Sequence, residues 1–137
     1  MKKFLNLLLL VFAVASFSNA QVLKNRSGYT KGFIRGEKVT DGKGNTKGFI
    51  RDYKVTDHLG NTLGYIKNEK ITDSSGNTRG YIRGKEVRDR SERILGYVEN
   101  GTVKDRSRNT IGFYRDISSK DAALCFFFFF KDLNLTK

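Results

Sequence analysis

A Gly-aromatic-aliphatic step recurs every 16 residues, at Gly32-Phe33-Ile34, Gly48-Phe49-Ile50, Gly64-Tyr65-Ile66, Gly80-Tyr81-Ile82, Gly96-Tyr97-Val98 and Gly112-Phe113-Tyr114. No insertion or deletion interrupts it. A constant period over this length is the mark of a repeat architecture, in which each unit buries its apolar face only against its neighbours.

Within a unit, four residues separate Ile34 from Val39, and the middle pair is Gly36-Glu37. The first position of that pair reads Gly36, Asp52, Asn68, Gly84, Asn100 and Asp116, residue types that tolerate the positive φ of a two-residue hairpin turn. Such a turn sets Ile34 opposite Val39 and Phe33 opposite Thr40. It repeats the aliphatic pair as Ile50 with Val55, Ile66 with Ile71, Ile82 with Val87 and Val98 with Val103, all on one face. The links between units, such as Asp41-Gly42-Lys43-Gly44-Asn45, fit longer loops built on a type I turn with a left-handed residue. Glycine gives way to Glu92 and Arg108 in the last two links, which are expected to be looser or differently shaped. The whole reads as an antiparallel meander.

Five complete hairpins run from Thr30 to Asp105. Val22 to Asn25 falls in register with the second strand of a unit, and Thr110 to Arg115 with the first. These half-units are complementary, so pairing them would hide both sheet edges, and a closed or near-closed ring is expected. The face opposite the aliphatic pairs carries the aromatics, with Lys31, Arg35, Lys38, Lys47, Arg51, Lys54, Arg79, Arg83 and Arg88 around them. These rings are expected to pack on neighbouring glycines under the stems of the basic side chains. The alternative is a ligand face for glycans or polyanions, formed by Phe33, Arg35, Phe49, Arg51, Tyr65, Lys67, Tyr81, Arg83 and Tyr97.

Outside the repeats, residues 1–20 have the charged start, apolar run and small-residue end of a secretory signal, with cleavage expected before Gln21. Residues 21–115 form the hairpin domain and 116–137 a tail packed on it. In the tail, Ser118 or Ser119 would cap a short helical or irregular segment. Cys125 and the run Phe126 to Phe130 follow, apolar on both faces if extended. That fits a buried terminal strand or a plug in the ring's interior. The apolar stretch from Ala122 to Phe130 is far below the roughly 20 residues of a membrane helix, so no transmembrane segment is expected in the mature chain. The export signal, the five Gly-aromatic-Ile…Val-x-Asp units and the Ala-Ala-Leu plus phenylalanine-rich tail resemble the bacterial five-fold β-flower proteins. The resemblance implies hairpin petals in a closed or near-closed arrangement in an exported protein, and it brings no catalytic residues with it.

The repeat supplies little chemistry. His58, the only histidine, sits in a link whose equivalents are Gly42 and Ser74, and a solvated loop residue is expected. Cys125 beside the phenylalanines reads as a buried, inert thiol. The recurring acids Asp41, Asp57, Asp73, Asp89 and Asp105 come one to a loop, which suits turns better than a calcium site. No catalytic residue, metal or cofactor is expected. The chain carries a formal charge of +12, or +10 once Lys2 and Lys3 are removed, from 24 basic and 14 acidic side chains. That charge favours a polyanionic envelope component or glycan as partner, without sequence-specific recognition of nucleic acid. The function expected is a non-enzymatic, envelope-associated structural or scaffold role in the periplasm, at the outer surface or outside the cell, with glycan or polyanion binding as the alternative.

Overall fold

A computed structural model describes residues 21–137. The signal segment expected at residues 1–20 lies outside the described residues. Twelve strands follow in order: β1 (Val22–Asn25), β2 (Thr30–Arg35), β3 (Lys38–Asp41), β4 (Thr46–Arg51), β5 (Lys54–Asp57) and β6 (Thr62–Lys67), then β7 (Lys70–Asp73), β8 (Thr78–Arg83), β9 (Glu86–Asp89), β10 (Ile94–Glu99), β11 (Thr102–Asp105) and β12 (Thr110–Arg115). Each pairs antiparallel with its sequence neighbours, and β1 pairs with β12, so the sheet closes into a barrel.

The hairpin turns are those expected. The first central residue has positive φ in every unit, and at Asn100-Gly101 both do, at 51° and 80°, as type I′ requires. Ile34 lies opposite Val39, and the pairing repeats through Val98 with Val103. The half-units pair in the same register: Leu23 meets Tyr114 as Val39 meets Ile34, and Asn25 meets Gly112 as Asp41 meets Gly32. The two ends thus assemble a sixth hairpin that lacks only its turn.

Between units the register slips by one. Val39 faces Gly48 but Thr40 faces Thr46, which leaves Lys47 as a bulge; Lys31, Leu63, Arg79, Leu95 and Ile111 are its equivalents. A bulge increases local twist and bends the sheet, so six of them at equal intervals curve the meander until its edges meet. They also correct a sequence assignment. Lys47 and Arg79, expected among the aromatics, reach the tail instead: Lys47 pairs with Asp132 at 3.2 Å, and the Arg79 guanidinium lies 5.6 Å from the Phe129 ring centre.

A barrel of eight strands is about the size that its own inward side chains fill, and twelve strands enclose more. Here the tail supplies the filling. Helix α1 (Ser119–Ala123) begins at Ser118, whose hydroxyl accepts the Asp121 N–H, and continues into a π-helical turn over Leu124–Phe128. Ala122, Ala123, Leu124 and Cys125 share one core with Leu23, Val39, Val55, Ile71, Val87 and Val103, the single aliphatic that each short strand contributes. A short 3-10 turn, Lys131–Leu133, follows.

The fold class stands as read, but the phenylalanine run is not a strand. Its side chains fan out around the barrel, each against one repeat glycine, in reverse order: Phe126 on Gly112, Phe127 on Gly96, Phe128 on Gly80, Phe129 on Gly64 and Phe130 on Gly48. Leu133 takes the sixth place, at Gly32. A strand would send alternate rings to opposite sides. An α-helix turns 100° per residue, whereas six units set the glycines roughly 60° apart. The wider π turn, made by the Phe129 N–H donating to the Leu124 carbonyl at 2.8 Å, brings the two closer together. Beyond it Phe129 is extended and Phe130 is left-handed at φ 57°, which carries the fan on to Gly48. The glycines are therefore covered from inside by the tail, and not by the repeat aromatics as the sequence reading expects.

Candidate functional site

Phe33, Phe49, Tyr65, Tyr81, Tyr97 and Phe113 project from the outer wall, one per unit, because they alternate with the inward Ile34 series. Closure spreads them around the whole circumference. Of the residues expected to form a ligand face, only those on adjacent hairpins can meet a common ligand.

Most of these rings are already occupied. The guanidinium of Arg35 lies 4.9 Å from the Phe33 ring centre, that of Arg51 4.3 Å from Phe49, that of Arg83 4.6 Å from Tyr81 and that of Arg108 4.1 Å from Tyr97. Cation–π contacts of this kind are worth about 0.5–1 kcal/mol at exposed sites. They hold the basic stems over the rings, as expected. Tyr65 differs. Its unit has Lys67 where its neighbours have Arg51 and Arg83, no cation caps its ring among the described residues (nor that of Phe113), and it is the most exposed of the six, at 37%.

Beside Tyr65 is a second departure from the repeat. The second turn position reads Glu37, Tyr53, Glu69, Lys85 and Gly101, so one unit carries an aromatic at the tip of its hairpin. Tyr53 is 66% exposed. The two tyrosines and Phe49 line an outer cleft of about 500 Å³, together with Arg51, Lys54 and Thr56. Lys54 lies opposite Tyr65 in the β5–β6 pairing and makes no ion pair among the described residues, whereas Arg51 is held by Glu37 at 2.8 Å. The sequence reading singled out Phe49, Arg51 and Tyr65 but missed Tyr53. Its signal was available, as the one aromatic in a column of charged residues and glycine.

The recurring aspartates build loops. Asp41 Oδ1 accepts the N–H groups of Lys43 and Asn45, each at 2.9 Å, and Oδ2 accepts the Asn45 side-chain amide at 3.1 Å. Asp57 and Asp73 repeat this pattern. The i+4 backbone N–H is the main cause that holds the carboxyls of Asp41, Asp57, Asp73 and Asp89 below their ordinary value. The links at Asp89 and Asp105 are not looser. They keep the same hydrogen bonds with Glu92 and Arg108 at φ 65° and 69°, where the other links have glycine.

Elsewhere the chemistry is sparse. Burial pushes the Cys125 thiol far up, away from the reactive thiolate. Among the described residues no three of His, Cys, Asp or Glu converge as a metal site would need, and no helix is long and apolar enough to cross a membrane.

A ring of repeated hairpins closed by its two half-units and filled by an aromatic tail defines a class of repeat protein built around a plug. The chain belongs to the five-fold β-flower proteins, whose family model matches residues 20–131. Neither the curated proteins nor the solved structures yielded a match.

Proposed function

We propose that this chain is an exported, non-enzymatic β-flower protein with an envelope-associated structural or scaffold role. The observation that carries this reading is the full commitment of the repeat to packing. The tail occupies the interior, where a barrel of this width would otherwise hold a ligand. The only thiol is sealed in that interior, and the loop acids satisfy loop amides. Export rests on the charged, apolar and small-residue pattern of residues 1–20. Fractionating cells that make the full chain, with mass spectrometry of its N-terminus, tests it. The expected product begins at Gln21 and lies outside the cytoplasm, whereas an uncleaved cytoplasmic chain would overturn the reading.

A second reading, glycan binding on the outer wall, is favoured by one observation: the uncapped Tyr65 beside the protruding Tyr53. A purely structural role predicts no retention on glycans at physiological salt.

A further inference from the structure

We infer that the outer cleft between the second and third complete hairpins is a subsite for an acidic glycan, with Tyr53 and Tyr65 as the platform for a pyranose ring. The inference rests on the glycan-binding reading above.

The argument is one of broken symmetry. A repeat protein has the same structural needs in every unit, so a residue required for packing should recur. At the second turn position an aromatic occurs once, at Tyr53, and there it is two-thirds exposed. On the wall, the six rings share one site and one need for cover, yet four lie under a guanidinium while Tyr65, the most exposed of the six, has none over it. Either departure alone would be an ordinary surface variation. Both fall on the same 500 Å³ cleft, where they put two aromatic faces within reach of one ligand.

The chemistry around them selects the ligand. Aromatic faces bind the C–H side of a sugar ring, which is apolar, while the ring's hydroxyls need donors and acceptors at the rim. Asp52 lines the cleft with an exposed carboxylate, and the largely buried Thr56 lines it as well. Lys54 adds an ammonium without a partner among the described residues, directly opposite Tyr65 in the sheet. One free cation beside two aromatic faces matches a sugar with a single carboxylate or sulfate per ring. An extended polyanion track would need a row of such cations.

Calorimetric titration of residues 21–137 with hexagalacturonate, which carries one carboxylate per ring, and with neutral cellohexaose tests this. The acidic oligosaccharide is expected to bind, and Tyr53→Ala and Tyr65→Ser each to weaken it by about tenfold or more. Tyr81→Ser, the same change in the next unit, should leave binding within about twofold of the parent. Lys54→Gln should weaken the acidic ligand and shrink its preference over the neutral one. Thermal melts of each variant show that folding is retained, which the exposure of Tyr53 makes undemanding. If the parent binds but Tyr53→Ala matches it, or if Tyr81→Ser weakens binding as much as Tyr65→Ser, the cleft is overturned while glycan binding stands. If the parent binds neither oligosaccharide, both readings fall.

Discussion

The repeat glycines have a steric duty. A methyl added at Gly80 would lie 2.6 Å from Phe128 Cε1 and would also meet the Arg88 carbonyl oxygen. The backbone there is ordinary, so the requirement is space and not φ. Overpacking a well-filled core typically costs about 1–3 kcal/mol. Gly80→Ala is therefore expected to lower stability by at least that in denaturant titration, and a melt equal to the parent's would contradict the contact. The loop acids set a pH dependence. Asp41, Asp57, Asp73 and Asp89 have folded-state pKa values below the ordinary 3.8. Their stabilisation is thus fully present above that value and is lost as pH falls through the folded values. Thermal stability should be flat from about pH 5 upwards and fall below about pH 4. In the first loop Asn25 already accepts the Ser27 and Tyr29 N–H groups as the aspartates do, without a titrating charge. Asp73→Asn should therefore fold and lose part of the acid sensitivity. Glu92 and Arg108 show how a left-handed position is held without glycine. Each adds a contact to the neighbouring hairpin, Glu92 with Arg83 and Arg108 with Tyr97, that offsets only part of a backbone cost of about 1–2 kcal/mol.

At the scale of elements, the hairpins and their partners were legible because a two-residue turn fixes register, and the period fixes everything else. Complementary half-units likewise made closure readable from Val22–Asn25 and Thr110–Arg115. The bulges were not legible. A one-residue slip leaves no mark in the period, since Lys47 and Arg79 look like any basic neighbour of an aromatic. The conformation of the phenylalanine run was also hidden, because a stretch apolar on every face has no periodicity to separate strand from helix. What the sequence did contain was a count: five consecutive phenylalanines, and a glycine at the same position of every unit. Tyr53 was hidden by the same habit of reading columns for what recurs. β1 carries a prediction of its own. Deleting Val22–Asn25 removes half of the sixth hairpin and leaves β2 and β12 with unpaired edges. Sedimentation should then show oligomers or aggregates, whereas an unchanged monomer would mean that closure contributes little.

For the molecule as a whole, wall and plug stabilise each other. Twelve short strands do not fill their own interior, and the tail buries Phe128, Phe129 and Phe130 there, each worth about 1.5–3 kcal/mol when fully buried, with Phe126 and Phe127 partly buried beside them. Cys125 lies within this plug at 2% exposure, so it should react with a thiol reagent only at the rate of global unfolding. Fast labelling under native conditions would mean that the tail leaves the barrel independently. The central claim is that each phenylalanine of the run sits on its own glycine, and NMR of the glycine Hα protons tests it most directly. The ring current of a phenylalanine held against a glycine displaces its Hα resonances, so Gly48, Gly64, Gly80, Gly96 and Gly112 should all be displaced while Gly32, beneath Leu133, is not. Phe128→Leu should then release the shift at Gly80 and leave the other four in place; a response at a different glycine, or an equal loss at all of them, would contradict the pairing.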